Sequence, residues 1–266
     1  MTTTAEPSGL RQVRGDKRWV RMAMILKRIG ILAHSAEGAA LSFLTACHHG
    51  EARLGAHRHP DIVLDIENMG SSMDDWDRLD LDSIAARFAD ACQRLKAAGA
   101  DFWICPDNTA HLALEAMTAR LPLPGLHIAT VAAQAASARG YRKVGVTGTL
   151  WTMEGPVYAS ALARHGIEAV VPAPEDRKIL QTMIFDELVR GVIRDQSREV
   201  LASVIARLAQ RGCDSVVLEC TELPLLLNDS TSPLPTLDST RLQARAAVDV
   251  ALGEGAMPTW RGGAPG

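Results

Sequence analysis

The sequence predicts an α/β protein of mainly parallel sheet flanked by helices, arranged as two intimate lobes. Three observations carry this. Apolar runs of strand length alternate with helical patterns through short connections, the order that builds parallel sheets. One stretch occurs twice, as Gly99-Ala100-Asp101 through Asn108-Thr109 and again as Gly212-Cys213-Asp214 through Thr221-Glu222. Between the copies, Leu121-Pro122-Leu123-Pro124-Gly125 interrupts the pattern and marks a lobe boundary.

The bulk properties narrow the class. A chain of 266 residues suits one compact unit or two close lobes and buries a core without staples. Net charge is −3 with both signs mixed, so no nucleic-acid surface is expected. The cysteines stand singly at 47, 92, 105, 213 and 220, which argues against a disulfide framework and suits a reducing, cytoplasmic setting. No apolar run approaches the ~18 residues of a membrane span, so no membrane partner is expected. Residues 1–28 are basic without the apolar core of a signal peptide. They read as a poorly ordered tail, with Met22 or Met24 as a candidate true start. The Gly/Pro-rich segment 253–266 reads as a loose end.

In chain order, a strand at 29–33 ends in His34-Ser35 and leads to a helix at 39–48. A strand at 62–66 follows, then a Gly/Ser/Asp-rich loop at 67–80, long enough to reach over a site. The helix at 82–98 shows Ile84, Phe88, Cys92 and Leu95 on one face and feeds the first copy of the repeat. After it come a helix at 111–120, a strand at 126–128, a helix at 130–139 and a buried strand at 143–147. Helices at 156–165, 175–190 and 195–211 surround a strand at 168–171, and the last helix feeds the second copy. A strand at 235–238 and a helix at 240–252 close the chain. The division expected is 29–125 plus 236–252 for the first lobe and 126–235 for the second.

Chemistry in parallel sheets gathers at the carboxyl ends of strands. Aligned by their glycines, the two copies set Asp107 opposite Cys220, Asn108 opposite Thr221 and Thr109 opposite Glu222. A carboxylate and a thiol at matched strand ends, each followed by hydrogen-bonding residues, form the pattern of a two-sided proton-transfer site. Singly, Asp before Asn-Thr reads more readily as a helix cap, and a lone Cys as a core residue. The matched pair is the signal.

Four pieces carry a resemblance: Asn108-Thr109-Ala110-His111, Gly148-Thr149 with Thr152-Met153-Glu154, Ile184-Phe185-Asp186-Glu187-Leu188, and Cys220-Thr221-Glu222-Leu223-Pro224-Leu225-Leu226. Over about 29–252 the chain resembles the aspartate/glutamate racemases, in a superfamily that also holds hydantoin racemases, maleate isomerases and arylmalonate decarboxylases. The resemblance implies two pseudo-symmetric lobes with the site in the cleft between them, a homodimer, and cofactor-independent (PLP-free) chemistry. It also implies catalytic residues directly before Asn-Thr and directly before Thr-Glu, here Asp107 and Cys220. The family usually has Cys at the first position, so Asp107 is a departure. Cys105, two residues earlier, is a neighbour rather than a replacement, because Pro106 interrupts regular strand geometry. A carboxylate of ordinary pKa about 3.9 rests ionised and a thiol near 8.5 rests protonated, so Asp107 should be the base and Cys220 the acid. Reversible racemisation predicts a raised Asp107 pKa.

An acidic substrate needs a cation for its second carboxylate. Arg53 and Arg58 in the first lobe and Arg177 and Lys178 in the second are the candidates, with Arg58 and Lys178 preferred. Asn108, Thr109, Thr149, Thr152 and Thr221 are expected to bind substrate as well. His48, His49, His57 and His59 lack supporting acidic or Cys ligands, so no metal site is expected. Gly145-Val146-Thr147-Gly148-Thr149 lacks the further residues of a phosphate loop. The reading is a PLP-independent racemase or epimerase of a small-molecule amino acid, with an acidic one such as aspartate or glutamate expected. Its rivals are a one-sided lyase, decarboxylase or cis–trans isomerase of a dicarboxylate, and a non-catalytic two-lobed binder.

Overall fold

The computed structural model describes residues 26–262, together with two short antiparallel strands, β1 (Leu10–Arg11) and β2 (Val20–Arg21). Of the tail expected over residues 1–28, those two strands and residues 26–28 are described and the rest lies outside the described residues. At its end Lys27 N–H donates to the Ala251 carbonyl at 3.1 Å, which ties the chain down before the first sheet begins.

The first sheet contains β3 (Ile29–Ala33), β4 (Ile62–Ile66), β5 (Phe102–Ile104) and β6 (Gly125–Leu126), all parallel, in the order β4-β3-β5-β6. The second contains β7 (Lys143–Thr147), β8 (Glu168–Val170), β9 (Ser215–Leu218) and β10 (Thr236–Asp238), also parallel, in the order β8-β7-β9-β10. The two orders are the same once numbering restarts. The expected pair of pseudo-symmetric α/β lobes is therefore present.

The repeat is visible at atomic detail. Gly99 and Gly212 both have φ +85°, the left-handed region where a Cβ is penalised. Two residues later the aspartates do the same work in each lobe. Asp101 Oδ2 accepts from Arg28 N–H at 2.7 Å, and Asp214 Oδ2 accepts from Arg142 N–H at 2.7 Å. Each bond pins the start of the next strand over, β3 or β7, beside the strand that the aspartate opens.

Both faces of each sheet are covered by helices. In the first lobe, α1 (Ala36–Leu54) covers one face, while α2 (Met73–Arg78), α3 (Leu81–Ala97) and α4 (Ala110–Ala116) cover the other. Alternation along β5 serves the two layers. Phe102 and Ile104 join the α1 side, and Trp103 joins the α3 side. After β6 comes α5 (Ile128–Ala138), which packs not on its own lobe but with Val144, Val146 and α7 (Pro156–Ala163) of the second. Between β7 and α7 lies the short α6 (Leu150–Glu154). α8 (Pro174–Asp186) and α9 (Asp195–Gln210) cover the opposite face of the second sheet. The final helix, α10 (Ser239–Ala251), returns the exchange by packing Ala244, Ala247 and Val248 against Ile29, Ile31 and Phe102 of the first.

Three expectations need correction. The strand placed in the second lobe at 126–128 is β6 and pairs with β5 in the first sheet, while His127 becomes the N-cap of α5. The strand at 235–238 is β10 and stays in the second sheet beside β9, and only its helix crosses back. Sequence order alone could not tell a sheet edge from a crossing helix. The end expected to be loose is anchored as far as Gly262. Trp260 stacks on His111 at 5.5 Å between ring centroids and lies 5.3 Å from Trp103, and Arg261 donates to the carbonyls of Met117 and Glu115.

At Gly212 a Cβ would meet nothing closer than Lys143 Cδ at 4.0 Å, so a substitution there reports backbone conformation alone. Gly212→Ala is expected to destabilise the fold by about 1–2 kcal/mol in urea denaturation. An unchanged midpoint would contradict the strained turn.

Candidate active site

The cleft opens where the carboxyl ends of β3, β5, β7 and β9 face one another. Its lining includes Asp107, Asn108 and Thr109 from the first copy of the repeat and Cys220, Thr221 and Glu222 from the second. Close approach of the lobes depends on Gly38 in the first turn of α1, where a Cβ would lie 2.9 Å from Thr221 Cγ2.

Asp107 emerges from β5 past Pro106. Its Oδ1 accepts from Ala110 N–H at 3.2 Å, so the capping role is real. Its Oδ2 faces His34 Nδ1 at 3.1 Å. The other ring nitrogen of His34 lies 2.6 Å from Ser72 Oγ, whose hydroxyl hydrogen goes to the Met69 carbonyl at 3.0 Å. His34 thus bridges Asp107 and Ser72 through its two ring nitrogens. Burial pushes the Asp107 carboxyl up, but the His34 hydrogen bond and charge, with Ala110 N–H, outweigh it and hold it below its ordinary value. This is the reverse of the raised value expected for reversible racemisation.

Cys220 sits past the end of β9 in the opposite electrostatic setting. Its Sγ donates to Glu222 Oε2 at 2.8 Å. Burial, then the charge of Glu222 and more distantly that of Asp107, push the thiol well above its usual range. Burial raises the Glu222 carboxyl too. The resting site therefore holds a carboxylate on one side and a thiol on the other.

Between them lie the hydroxyls. Thr109 Oγ1 is 3.1 Å from Thr149 Oγ1 across the lobes, and Thr149 Oγ1 is 3.0 Å from Thr152 Oγ1. Thr149 also N-caps α6, as Ser35 caps α1 at the equivalent place in the first lobe. Asn108 is buried and spent on structure, with Nδ2 donating to the Glu219 carbonyl and to Ser239 Oγ. His111 is neutral: Nδ1–H donates to the Asp107 carbonyl at 2.8 Å, Nε2 accepts from Ile128 N–H, and burial lowers its pKa to about 3.

Among the expected site residues, Asp107, Asn108, Thr109, Thr149, Thr152, Cys220 and Thr221 meet at the cleft. Cys105 does not: it is fully buried in the first-lobe core. Arg58 and Lys178 are absent from the cleft lining. Arg58 is exposed in the turn after α1, at the opposite end of the sheet, and Lys178 is exposed on the outer face of α8. Arg53 pairs with Asp249 and Glu254, and Arg177 with Glu154. Sequence reasoning missed His34, Ser72 and Glu219. His34 directly follows β3 and Glu219 directly precedes Cys220, so the strand-end rule that found Asp107 would have flagged both. Among the described residues no three His, Cys, Asp or Glu side chains cluster to hold a metal, and no helix is long and apolar enough to cross a membrane.

The family model of the Asp/Glu/hydantoin racemases matches residues 26–247. The chain belongs to that family. As a member of the racemase family it is an enzyme of the isomerase class. Its sequence is 24% identical to the broad specificity amino-acid racemase RacX of Bacillus subtilis (strain 168), over 65% of this chain and 75% of that one. A solved Yersinia pestis structure described as a candidate Asp/Glu racemase aligns at 30% identity and TM-score 0.75, covering 85% of this racemase-family chain and all of its own. An aspartate racemase homologue from Pyrococcus horikoshii OT3 shares the fold at TM-score 0.73, with 24% identity over 85% of this chain and 99% of its own.

Glu219 gives a test of the site's electrostatics. Burial raises its carboxyl from 4.5 to about 8, opposed by the nearby Thr152 hydroxyl, and neither oxygen meets hydrogen-bond geometry. The stability of the neutral form is fully present below the unfolded value and is lost as pH rises through about 8. A Glu219→Gln variant should therefore gain melting temperature over the parent as pH rises from about 5 to about 9. A pH-independent difference would contradict a buried, neutral Glu219.

Proposed function

We propose that the protein inverts the α-carbon of an amino acid by two-base proton transfer, with Asp107 and Cys220 on opposite faces of the substrate. The observation that carries the reading is the opposed hydrogen-bond setting of the two residues at matched strand ends of one cleft, Asp107 facing His34 and Ala110 N–H while Cys220 donates to Glu222. Asp107, ionised, removes the α-proton on its side. The Cys220 thiol, held protonated by its Sγ–H hydrogen bond to Glu222 Oε2, delivers its proton to the other face; Asp107 then carries the proton taken from the substrate and Cys220 is a thiolate, and exchange with solvent after product release restores the resting pair. The hydroxyls of Thr109 and Thr149 are the donors for the substrate's α-carboxylate, with Thr152, whose hydroxyl donates to the Thr149 carbonyl, and Thr221 in the same lining. The two relatives named for racemase activity, RacX by name and the Yersinia pestis protein by description, support the same chemistry.

One observation favours a second reading. The lowered Asp107 carboxyl disfavours the protonated form that must act as the acid for the opposite enantiomer. A one-sided proton transfer on a related carboxylate substrate, of the kind catalysed by a decarboxylase or a cis–trans isomerase, needs only the resting state.

Proton NMR in D2O separates the two. Two-base chemistry predicts loss of the α-proton signal from both enantiomers of a substrate amino acid, reduced by at least about 100-fold in Asp107→Asn and in Cys220→Ser. Exchange confined to one enantiomer favours the one-sided reaction. No exchange from any amino acid by a folded protein would sink the racemase reading.

His34 adds a pH signature. Asp107 works as a base above its pKa, and the His34 hydrogen bond is the largest of the influences that keep that value low. In His34→Ala, burial of Asp107 is opposed by Ala110 N–H without the His34 ring, so the acidic limb of the kcat/KM profile should move to higher pH. A limb that stays in place would show that another group titrates there.

A further inference from the structure

We infer that the substrate's side chain is uncharged and apolar or aromatic, and that Trp76, Trp151 and Phe185 form the wall that selects it. This rests on the racemase reading of the same cleft and names the substrate class within it.

Beyond the acid–base residues the lining turns apolar. The long loop after β4, expected to reach over the site, does so by folding into a 3-10 turn and α2, and it brings Met73 and Trp76 to the cleft. From the second lobe come Trp151 on α6, Ile184 and Phe185 on α8, and Val189 just beyond it. The rings form a continuous series across the lobes. Trp76 and Trp151 lie 5.9 Å apart between centroids, and Phe185 meets Trp151 edge-on at 5.7 Å and 89°. Trp151 and Phe185 are partly exposed, so their free surface faces the opening rather than the core.

The charges in the cleft point the same way. Among the described residues its lining holds no Lys or Arg, while it does hold Asp107, Glu219 and Glu222. His34 is the basic member, and both its nitrogens are committed to Asp107 and Ser72. The α-carboxylate can be met by the threonine hydroxyls near the repeat. A second carboxylate would be desolvated beside three carboxyl groups with no cation to pair it, and an unpaired buried charge is strongly disfavoured. An apolar group in the same place displaces water from aromatic surface and meets no such penalty.

The experiment measures α-proton exchange in D2O with both enantiomers of phenylalanine, leucine, aspartate and glutamate, using the intact protein, Phe185→Ala and Trp151→Ala. Binding of phenylalanine and aspartate is measured alongside by isothermal titration. The expected result is kcat/KM for phenylalanine or leucine at least about 100-fold above that for the acidic pair, since apolar discrimination in one pocket spans about 10–200-fold and the unpaired charge adds to it. Phe185→Ala should raise KM for phenylalanine by about 10-fold. Exchange confined to aspartate or glutamate would overturn the inference and leave the racemase reading intact. No exchange at all, with phenylalanine binding that weakens in Trp151→Ala, would overturn the racemase reading and keep the wall. Neither exchange nor phenylalanine binding would overturn both.

Discussion

One amide holds the two halves of the site in register. Asn108 lies directly after Asp107, and it spends its side chain across the lobe boundary. Its Nδ2 donates to the carbonyl of Glu219, the residue before Cys220, and to Ser239 Oγ at the start of α10. Its Oδ1 accepts from Tyr158 OH at 2.5 Å. Both donors and the acceptor of the amide are thus used, and all its partners belong to the second-lobe sheet or the helices attached to it. Ser239 in turn donates to the Leu218 carbonyl at 3.0 Å, so the strand end before Cys220 is held twice. A buried partner left unpaired costs about 1–3 kcal/mol, and this amide satisfies three. The span between Asp107 and Cys220 is therefore a property of a buried hydrogen-bond network rather than of a hinge. The exchange of α5 and α10 between the lobes backs it with apolar packing.

Within that rigid frame, symmetry of the backbone does not extend to the charges. Burial acts on Asp107 and Cys220 alike, pushing each toward its neutral form. What separates them is the neighbour each has been given. Asp107 faces a histidine whose other nitrogen is held by Ser72, while Cys220 faces a carboxyl group that is itself buried and raised. Two similar strand ends thereby hold opposite protonation states at rest, the condition a site needs to remove a proton on one side and supply one on the other. The same asymmetry makes the resting form one of two required for full turnover in both directions, which is why the Asp107 environment bears on whether the reaction is reversible.

How far this was legible in the sequence varied with the range of the interaction. The repeat could be read because its determinants are local: a glycine forced to positive φ, an aspartate two residues on, and an apolar strand. The strand at 143–147 could be read in full because every residue after Lys143 is buried, leaving an uncharged, β-branched-rich run between turns. The first helix was read short, as 39–48, because His48-His49-Gly50-Glu51 blurs its period, yet it continues to Leu54. The choice of Arg58 ignored the geometry of a βα unit. After α1 the chain has returned to the amino end of the sheet, so nothing in that turn can reach the carboxyl end. Lys178 failed on helical phase, since Asp176, Leu180 and Ile184 define the buried face of α8 and Lys178 points away. The aromatic wall could not be read, because Trp76 and Trp151 are neighbours only once the lobes have closed.

The two layers of the site also differ in what carries them. Asp107 and Cys220 hang from strand ends whose position is fixed by sheet pairing and by Asn108. Trp76, Trp151 and Phe185 sit on helices or turns outside the sheets, where a side chain can change without moving the strands. Acid–base chemistry and side-chain selection are therefore mechanically separable here. Their energetics stay coupled through water. The aromatic rings that exclude solvent from the cleft lower the local dielectric, which strengthens the His34–Asp107 pair and raises the Cys220 thiol together. A substrate side chain that fills the space against those rings completes the exclusion, whereas one that brings its own charge and hydration undoes it. The wall that selects the substrate is thus also part of what sets the protonation states that act on it.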